Sequence, residues 1–175
     1  VRFLSDHRAL VPRSPIAQLL TEGLFPWWAA ASSPRHIVDV CCGGGSLGIV
    51  AATCFPEATV TLSDLDSQAL SLAAENVRFN DLGSRVFCVQ ADLLAALAAG
   101  SVDLILSNPP YVSAAEMRDL PAEYEHEPRV ALEAEAEGTA LALQVLRTAA
   151  SLLSSEGLLI LEVGETAETL ECSLP

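Results

Sequence analysis

Short β-rich apolar runs alternate with helix-forming stretches along this 175-residue chain, and that alternation leaves few folds open besides a parallel α/β sheet. The runs His36–Val40, Ala58–Ser63, Arg85–Gln90, Val102–Ser107 and Gly157–Val163 predict five strands. Helices with readable ends fill the intervals. Ser14 reads as an N-cap with Pro15 at the first helical position, where the missing N–H costs nothing. Ser46 to Phe55 predicts a second helix, stopped by Pro56. Ser67 to Asn80 places Leu70, Ala73, Ala74 and Val77 on one face, with Gly83 just past its end. Thr139 to Leu153 is a further amphipathic stretch, ended by Ser154–Gly157. Trp27 and Trp28, near the end of the first helix, read as packing residues. The expected architecture is a mostly parallel sheet of order 3-2-1-4-5 with right-handed crossovers.

Composition narrows the class. Apolar residues make up 51% of the chain and charged residues 18%, which excludes a disordered protein. No apolar run approaches the roughly 18 residues of a membrane span, so no membrane partner is expected, and no signal-peptide pattern opens the chain. Five cysteines without CxxC spacing predict reduced thiols and a cytoplasmic location. Nine arginines, no lysine and 23 acidic residues give a net charge of −14. Direct nucleic-acid binding is therefore not expected, because displacing phosphate counterions needs a basic footprint. Glu116 to Glu137 is densely acidic, with only Arg118 and Arg129 opposing. It reads either as a solubilising face or as a surface attracting a basic protein.

Chemistry concentrates at predicted strand ends. The first strand runs into Asp39-Val-Cys-Cys-Gly43-Gly-Gly45-Ser-Leu-Gly48. Glycines at 43, 45 and 48 satisfy G-x-G-x-x-G, permitting a tight turn and close backbone approach to a ligand. Alone the pattern is weak; an ordinary glycine-rich turn also fits. Asp64 ends the second strand, where a carboxylate would accept from two ribose hydroxyls; a helix N-cap is its alternative role, one that Asp66 or Ser67 would equally fill. Dinucleotide dehydrogenases and S-adenosylmethionine-dependent methyltransferases both use such a layout. Asp39 helps to separate them, since an acid before the loop suits a cationic amino-acid end and repels a pyrophosphate. Asp92 closes the third strand, placed either to meet an adenine amine or to cap a loop.

Ser107-Asn108-Pro109-Pro110-Tyr111, directly after the fourth strand, is the most specific segment. Pro109 holds Asn108 out of the helical region, and neither proline donates a backbone hydrogen bond. The Asn108 amide oxygen and the Pro109 carbonyl are thus available to accept both N–H groups of a planar –NH2. That grip would orient the nitrogen for attack on a methyl carbon. Tyr111 would lie against the nucleophile's plane or near a sulfonium cation; a proline-rich strand exit with a core tyrosine is the plainer reading. With the first and fourth strands adjacent, glycine loop and Asn-Pro-Pro-Tyr face one crevice. His7, His36 and His126 make no metal spacing, no Ser-His-Asp or Cys-His set presents itself, and adjacent Cys41 and Cys42 point apart into packing roles.

With these motifs in hand, the chain resembles the HemK-like protein-glutamine methyltransferases. Asn108-Pro-Pro-Tyr111 and the Asp39–Gly45 loop carry the resemblance. Leu10-Val-Pro-Arg-Ser-Pro-Ile-Ala-Gln-Leu19 and Asp119-Leu-Pro-Ala-Glu-Tyr-Glu-His-Glu-Pro128 point to its PrmB-type branch, which modifies a large-subunit ribosomal protein. It extends from about Leu10 to Gly164. It implies a Rossmann-like class I fold and S-adenosyl-L-methionine as cofactor, with methyl transfer to a glutamine side-chain amide nitrogen. It also implies that Asp39, Gly43 and Gly45 bind the methionine moiety, Asp64 the ribose, Asp92 the adenine, and Asn108, Pro109, Pro110 and Tyr111 the substrate glutamine, with Asn108 also against the cofactor and Asn108, Pro109 and Tyr111 catalytic. Arg13–Pro15 would approach the cofactor without an assigned role. Cys41 stands where many methyltransferases have the first loop glycine. Residues 1–30 read as a lead-in joining an N-terminal domain outside the chain, and residues 31–175 as a catalytic domain lacking its last two strands.

Other readings stay open. The release-factor branch carries Pro-Arg-Pro-x-Thr-Glu at the first segment. Adenine-amine DNA methyltransferases share the Asn-Pro-Pro-aromatic logic, against which the charge counts. A dehydrogenase leaves Asn108–Tyr111 unused, and a non-catalytic module derived from a methyltransferase would bind neither cofactor.

Overall fold

The structure is a computed structural model, which describes residues 1–24, 28, 33–95, 97–113, 116–118, 127–133 and 139–173. Five strands form one parallel sheet: β1 (His36–Val40), β2 (Thr59–Asp64), β3 (Val86–Gln90), β4 (Val102–Ser107) and β5 (Leu153–Leu161), in the order β3-β2-β1-β4-β5. The expected order is therefore realised, with β1 hydrogen-bonded to both β2 and β4. The α-helices among the described residues are α1 (Ile16–Thr21), α2 (Ser46–Cys54), α3 (Ser67–Phe79), α4 (Ala140–Leu152) and α5 (Ala167–Ser173), with short 3-10 turns at Glu116–Arg118, Arg129–Ala131 and Gly164–Thr166.

Strands buried on both faces explain their near-continuous apolar sequences. Ile37, Val60, Leu62, Leu104 and Leu106 join one core, which receives Ile16 and Leu20 of α1, Ile49 of α2 and Val77 of α3. Val38, Val40, Val102 and Ile105 point the other way and meet Val145, Ala149 and Leu152 of α4. Cys41 packs against this second core and Cys42 belongs to the first, so the adjacent thiols diverge as expected, and all five cysteines are free.

Three boundaries differ from expectation. Pro15, not Ser14, takes the N-cap position of α1; the Ser14 hydroxyl accepts from Ile16 N at 3.3 Å but donates to the Glu162 carboxylate. The helix ends at Thr21, so Trp28 lies beyond it, although it does pack on the first core; Trp27 lies outside the described residues. Strand β5 begins at Leu153, with Gly157 inside it rather than at its start. There a Cβ would sit 3.0 Å from the Val102 carbonyl oxygen, at the register shift between Val102 and Leu104. This glycine permits an irregular pairing instead of marking a strand end.

The lead-in is strapped to α3. Asn76, 1% exposed, accepts from Leu4 N at 2.7 Å and donates to the carbonyls of Leu4 and Gly44 at 3.1 and 2.9 Å. One turn later Asn80 Nδ2 donates to the Arg2 carbonyl at 2.9 Å. Arg8 bridges Asp6 and Glu75. Hydrophobic periodicity correctly buries Leu70, Ala73 and Val77 but cannot reveal a buried asparagine on the same face.

Helix α2 lies unusually close to the sheet. A Cβ on Gly48 would fall 2.2 Å from Leu62 Cδ2 and 3.1 Å from Asp39 Cβ. Gly48→Ala is expected to destabilise the fold by about 1–3 kcal/mol, measured by urea denaturation. Gly83→Ala, with nothing within 4 Å of its added methyl, should change stability by less than about 1 kcal/mol.

Candidate functional site

The C-terminal ends of β1, β2, β3 and β4 open into one cleft of about 260 Å³. Its wall includes Asp39 near the end of β1, Cys41, Cys42, Gly43 and Gly44 after that strand, Asp64 at the end of β2 and Asp92 after β3. Asn108 and Pro110 follow β4 on the same wall, and residues Phe3–Ser5 and Arg8–Ser14 of the lead-in close it. The order β3-β2-β1-β4-β5 reverses between β1 and β4, and the cleft lies at the strand C-termini there, the usual ligand crevice of open α/β sheets. Two buried serines fix its floor. Ser107 Oγ donates to the Val40 carbonyl at 3.0 Å, pinning β4 to β1, and Ser63 Oγ donates to the Leu93 carbonyl at 3.0 Å.

The loop after β1 needs unusual backbone. Gly43 and Gly45 have φ of +52° and +79°, and Cys41 adopts φ +57°. A non-glycine residue is seldom held in the left-handed region. Here Cys42 N donates to the Ser63 carbonyl at 3.1 Å and Gly45 N to the Cys42 carbonyl at 2.8 Å, which fixes the turn around Cys41. Gly45 is a packing glycine, since its added Cβ would meet Leu62 Cδ1 at 2.9 Å; Gly43 faces the cleft.

Asp39 is 1% exposed. Its Oδ2 accepts from Gly48 N at 2.8 Å, in the first turn of α2, while Oδ1 has no hydrogen-bond partner among the described residues. Burial, opposed by the Gly48 bond and reinforced by the charge of Asp64, pushes its carboxyl up to about 7. Asp64 is only half-buried. Its Oδ2 accepts from Gly43 N at 2.8 Å and Oδ1 from Asp66 N at 2.9 Å. The α3 cap belongs to Asp66, which accepts from Gln68 N at 2.8 Å. Asp64 is thus not spent on the helix, and its two oxygens retain lone pairs. Asp92 is exposed on the cleft wall, and the turn there is closed by its backbone carbonyl, which accepts from Ala95 N at 3.2 Å.

The Asn108–Tyr111 segment divides. Asn108 and Pro110 line the cleft, Pro109 is buried, and Tyr111 is half-buried beside it. The Tyr111 hydroxyl donates to Glu162 Oε1 at 3.2 Å. The following residue, Val112, donates to the Leu132 carbonyl at 2.9 Å. Glu127, the next-to-last residue of the acidic 119–128 run, accepts from Val11 N at 3.2 Å and pairs with Arg13. Its side chain is 6% exposed, so this acid is buried against the lead-in and not part of a solvated face. Residues 119–126 lie outside the described set. Asn76, Ser63 and Glu162 belong to no motif of the sequence, and Ser107 opens the Asn-Pro-Pro-Tyr segment without a role of its own; only a pattern pairing each with a distant partner would signal them.

This sheet order, with a glycine loop and acidic strand ends around a switch-point cleft, defines the class I methyltransferase fold. A methyltransferase from Pyrococcus furiosus shares it at a TM-score of 0.66, with 19% identity over 97% of this chain and 73% of that one. The chain belongs to the methyltransferase small domain family, whose profile matches residues 18–123. A ribosomal protein uL3 glutamine methyltransferase of Bordetella pertussis is 44% identical over 99% of this chain and 58% of its own length. One of the same name from Xylella fastidiosa is 45% identical over 100% and 55%. The chain therefore spans a little over half the length of these curated relatives.

Two substitutions test the site's electrostatics and its strap. Folded Asp39 keeps its proton up to about pH 7, whereas the unfolded carboxyl releases it near 3.8. Stability therefore falls as pH rises through that window, and the cost is complete above it. Asp39→Asn retains an acceptor for Gly48 N, so it should stabilise the ligand-free protein at pH 8 by on the order of 4 kcal/mol relative to pH 4, seen as a flattened melting-temperature profile. Asn76→Ala removes the side-chain partners of part-buried backbone groups of Leu4 and Gly44 and should cost roughly 1–3 kcal/mol in chemical denaturation.

Proposed function

We propose that this domain is the catalytic part of a protein-glutamine methyltransferase that uses S-adenosyl-L-methionine and modifies a glutamine of a large-subunit ribosomal protein. The observation that carries the reading is that Asn108 and Pro110 share one cleft with Asp39, Gly43 and Asp64. The curated relatives, named for uL3 glutamine methylation, support the same substrate. No helix of the described residues is long and apolar enough to cross a membrane. The net charge of −14 favours a basic protein substrate over direct contact with nucleic acid.

The cleft residues suit the cofactor. Asp39 Oδ1, buried and without a partner among the described residues, is the acceptor that a cationic amino-acid end needs, and the nearby positive charge would favour the ionised form that burial alone disfavours. Asp64 offers the remaining lone pairs of both oxygens to a pair of ribose hydroxyls. Gly43 leaves the wall open for close approach, and Asp92 stands where an adenine amine would be met. When bound, S-adenosylmethionine supplies a methyl group made electrophilic by its sulfonium centre.

The chain's own task is to grip and orient the nucleophile. The Asn108 amide oxygen and the Pro109 carbonyl accept the two N–H groups of the glutamine amide, fixing its plane. Such orientation removes much of the entropic part of the barrier. These acceptors also stabilise the positive charge that develops on the nitrogen as it is alkylated. Tyr111 flanks the amide. A glutamine offers both N–H groups, whereas an ester or hydroxyl substrate would leave an acceptor unpaired, and the site discriminates on that difference.

In the full-length protein, Asn108→Ala should lower kcat by about 100-fold or more while leaving the cofactor Kd within about 2-fold. Asp64→Ala should instead weaken cofactor binding by about 10-fold or more. Calorimetry with S-adenosylmethionine and mass spectrometry of large-subunit ribosomal proteins incubated with labelled cofactor provide the readouts. Loss of cofactor affinity in Asn108→Ala would contradict the assigned role.

A further inference from the structure

Resting on the reading above, we infer that Glu162 is a positioning residue for methyl transfer, holding the Tyr111 ring and the Ser14 lead-in in one fixed arrangement beside the substrate amide. Glu162 directly follows β5, and its backbone N donates to the Ser107 carbonyl at 2.9 Å. Its main chain is therefore anchored to the residue that precedes Asn108. From that anchor the carboxylate spans two segments that are far away in sequence. Oε1 accepts from the Tyr111 hydroxyl at 3.2 Å and Oε2 from the Ser14 hydroxyl at 2.5 Å.

The ring's seat is shaped on another side by Gly164. That residue has φ +54°, and a Cβ there would come within 2.6 Å of Tyr111 Cε2 and 2.7 Å of Cδ2. The Glu-Val-Gly run after β5 thus supplies both a hydrogen-bond acceptor for the phenol and the vacant space for its ring. A tyrosine held at its hydroxyl and packed along one edge cannot rotate freely about χ1 and χ2, so the surface it offers the substrate is fixed before binding.

Ser14 extends the arrangement to the other side of the cleft. It lines the cleft wall together with Asn108, and its neighbour Arg13 pairs with Glu127. Hydrogen bonds to an ionised carboxylate are stronger and shorter than neutral ones. One charged group therefore registers the lead-in against the substrate-gripping turn without touching substrate.

The test uses the full-length protein, with S-adenosylmethionine and large-subunit ribosomal proteins as substrates. Glu162→Ala is expected to reduce kcat by about 10–100-fold while cofactor Kd and melting temperature stay near the parent values. Glu162→Gln, which keeps one acceptor oxygen, should recover part of the loss. Tyr111→Phe should lower kcat similarly, and the double variant Glu162→Ala/Tyr111→Phe should be no worse than the poorer single variant. Additive losses, or a Glu162→Ala enzyme of parental kcat, would overturn the inference alone. A parent protein that transfers no methyl group would overturn the functional reading and this inference with it.

Discussion

The close approach of α2 to the sheet is the constraint on which the rest of the structure depends. Leu62 fills the space that side chains at positions 45 and 48 would need, so two glycines let a helix descend onto β1 and β2. That descent brings Gly48 N within 2.8 Å of Asp39 and covers the carboxylate. The same loop carries Gly43 to Asp64 and Gly44 to Asn76. A side chain at 45 or 48 would lift the helix and disturb these contacts together.

Buried polar groups then transmit order from the sheet to the cleft. Ser63, Ser107 and Asn76 each satisfy backbone groups that would otherwise be stranded at strand ends or loop turns. In a low-dielectric interior such partners are costly to lose. They also explain why the lead-in behaves as a wall of the cleft. It is bound through Asn76 and Asn80 at one end and through Glu127 and Glu162 at the other.

The parallel α/β class was legible in the β-runs and glycine spacing, and the sheet order and cleft position in the resemblance carried by the glycine loop and the Asn108–Tyr111 segment. Asp64 could be separated from its capping alternative only in three dimensions, where Asp66 takes the cap. Gly157 misled as a strand boundary because a glycine inside an irregular pairing has the same one-dimensional appearance as a turn. Asn76 was hidden by a helix face that is otherwise apolar, and Glu162 by a strand exit without a motif of its own. The acidic run was read as surface, yet its Glu127 is buried by pairing with Arg13. Charge counts describe a segment's solvation and cannot foresee which member folds inward.

The left-handed Cys41 carries a chemical corollary. Cys41 and Cys42 both border the cleft, yet their side chains pack into the two opposite cores of the sheet. Burial, helped by the nearby carboxylates of Asp64, Asp39 and Asp92, pushes the Cys41 thiol up to about 12. Burial likewise raises Cys42 well above its ordinary value. Burial thus favours the neutral thiol at both positions, and the left-handed turn at Cys41 spends two potentially reactive sulfurs as packing groups on opposite faces of the sheet.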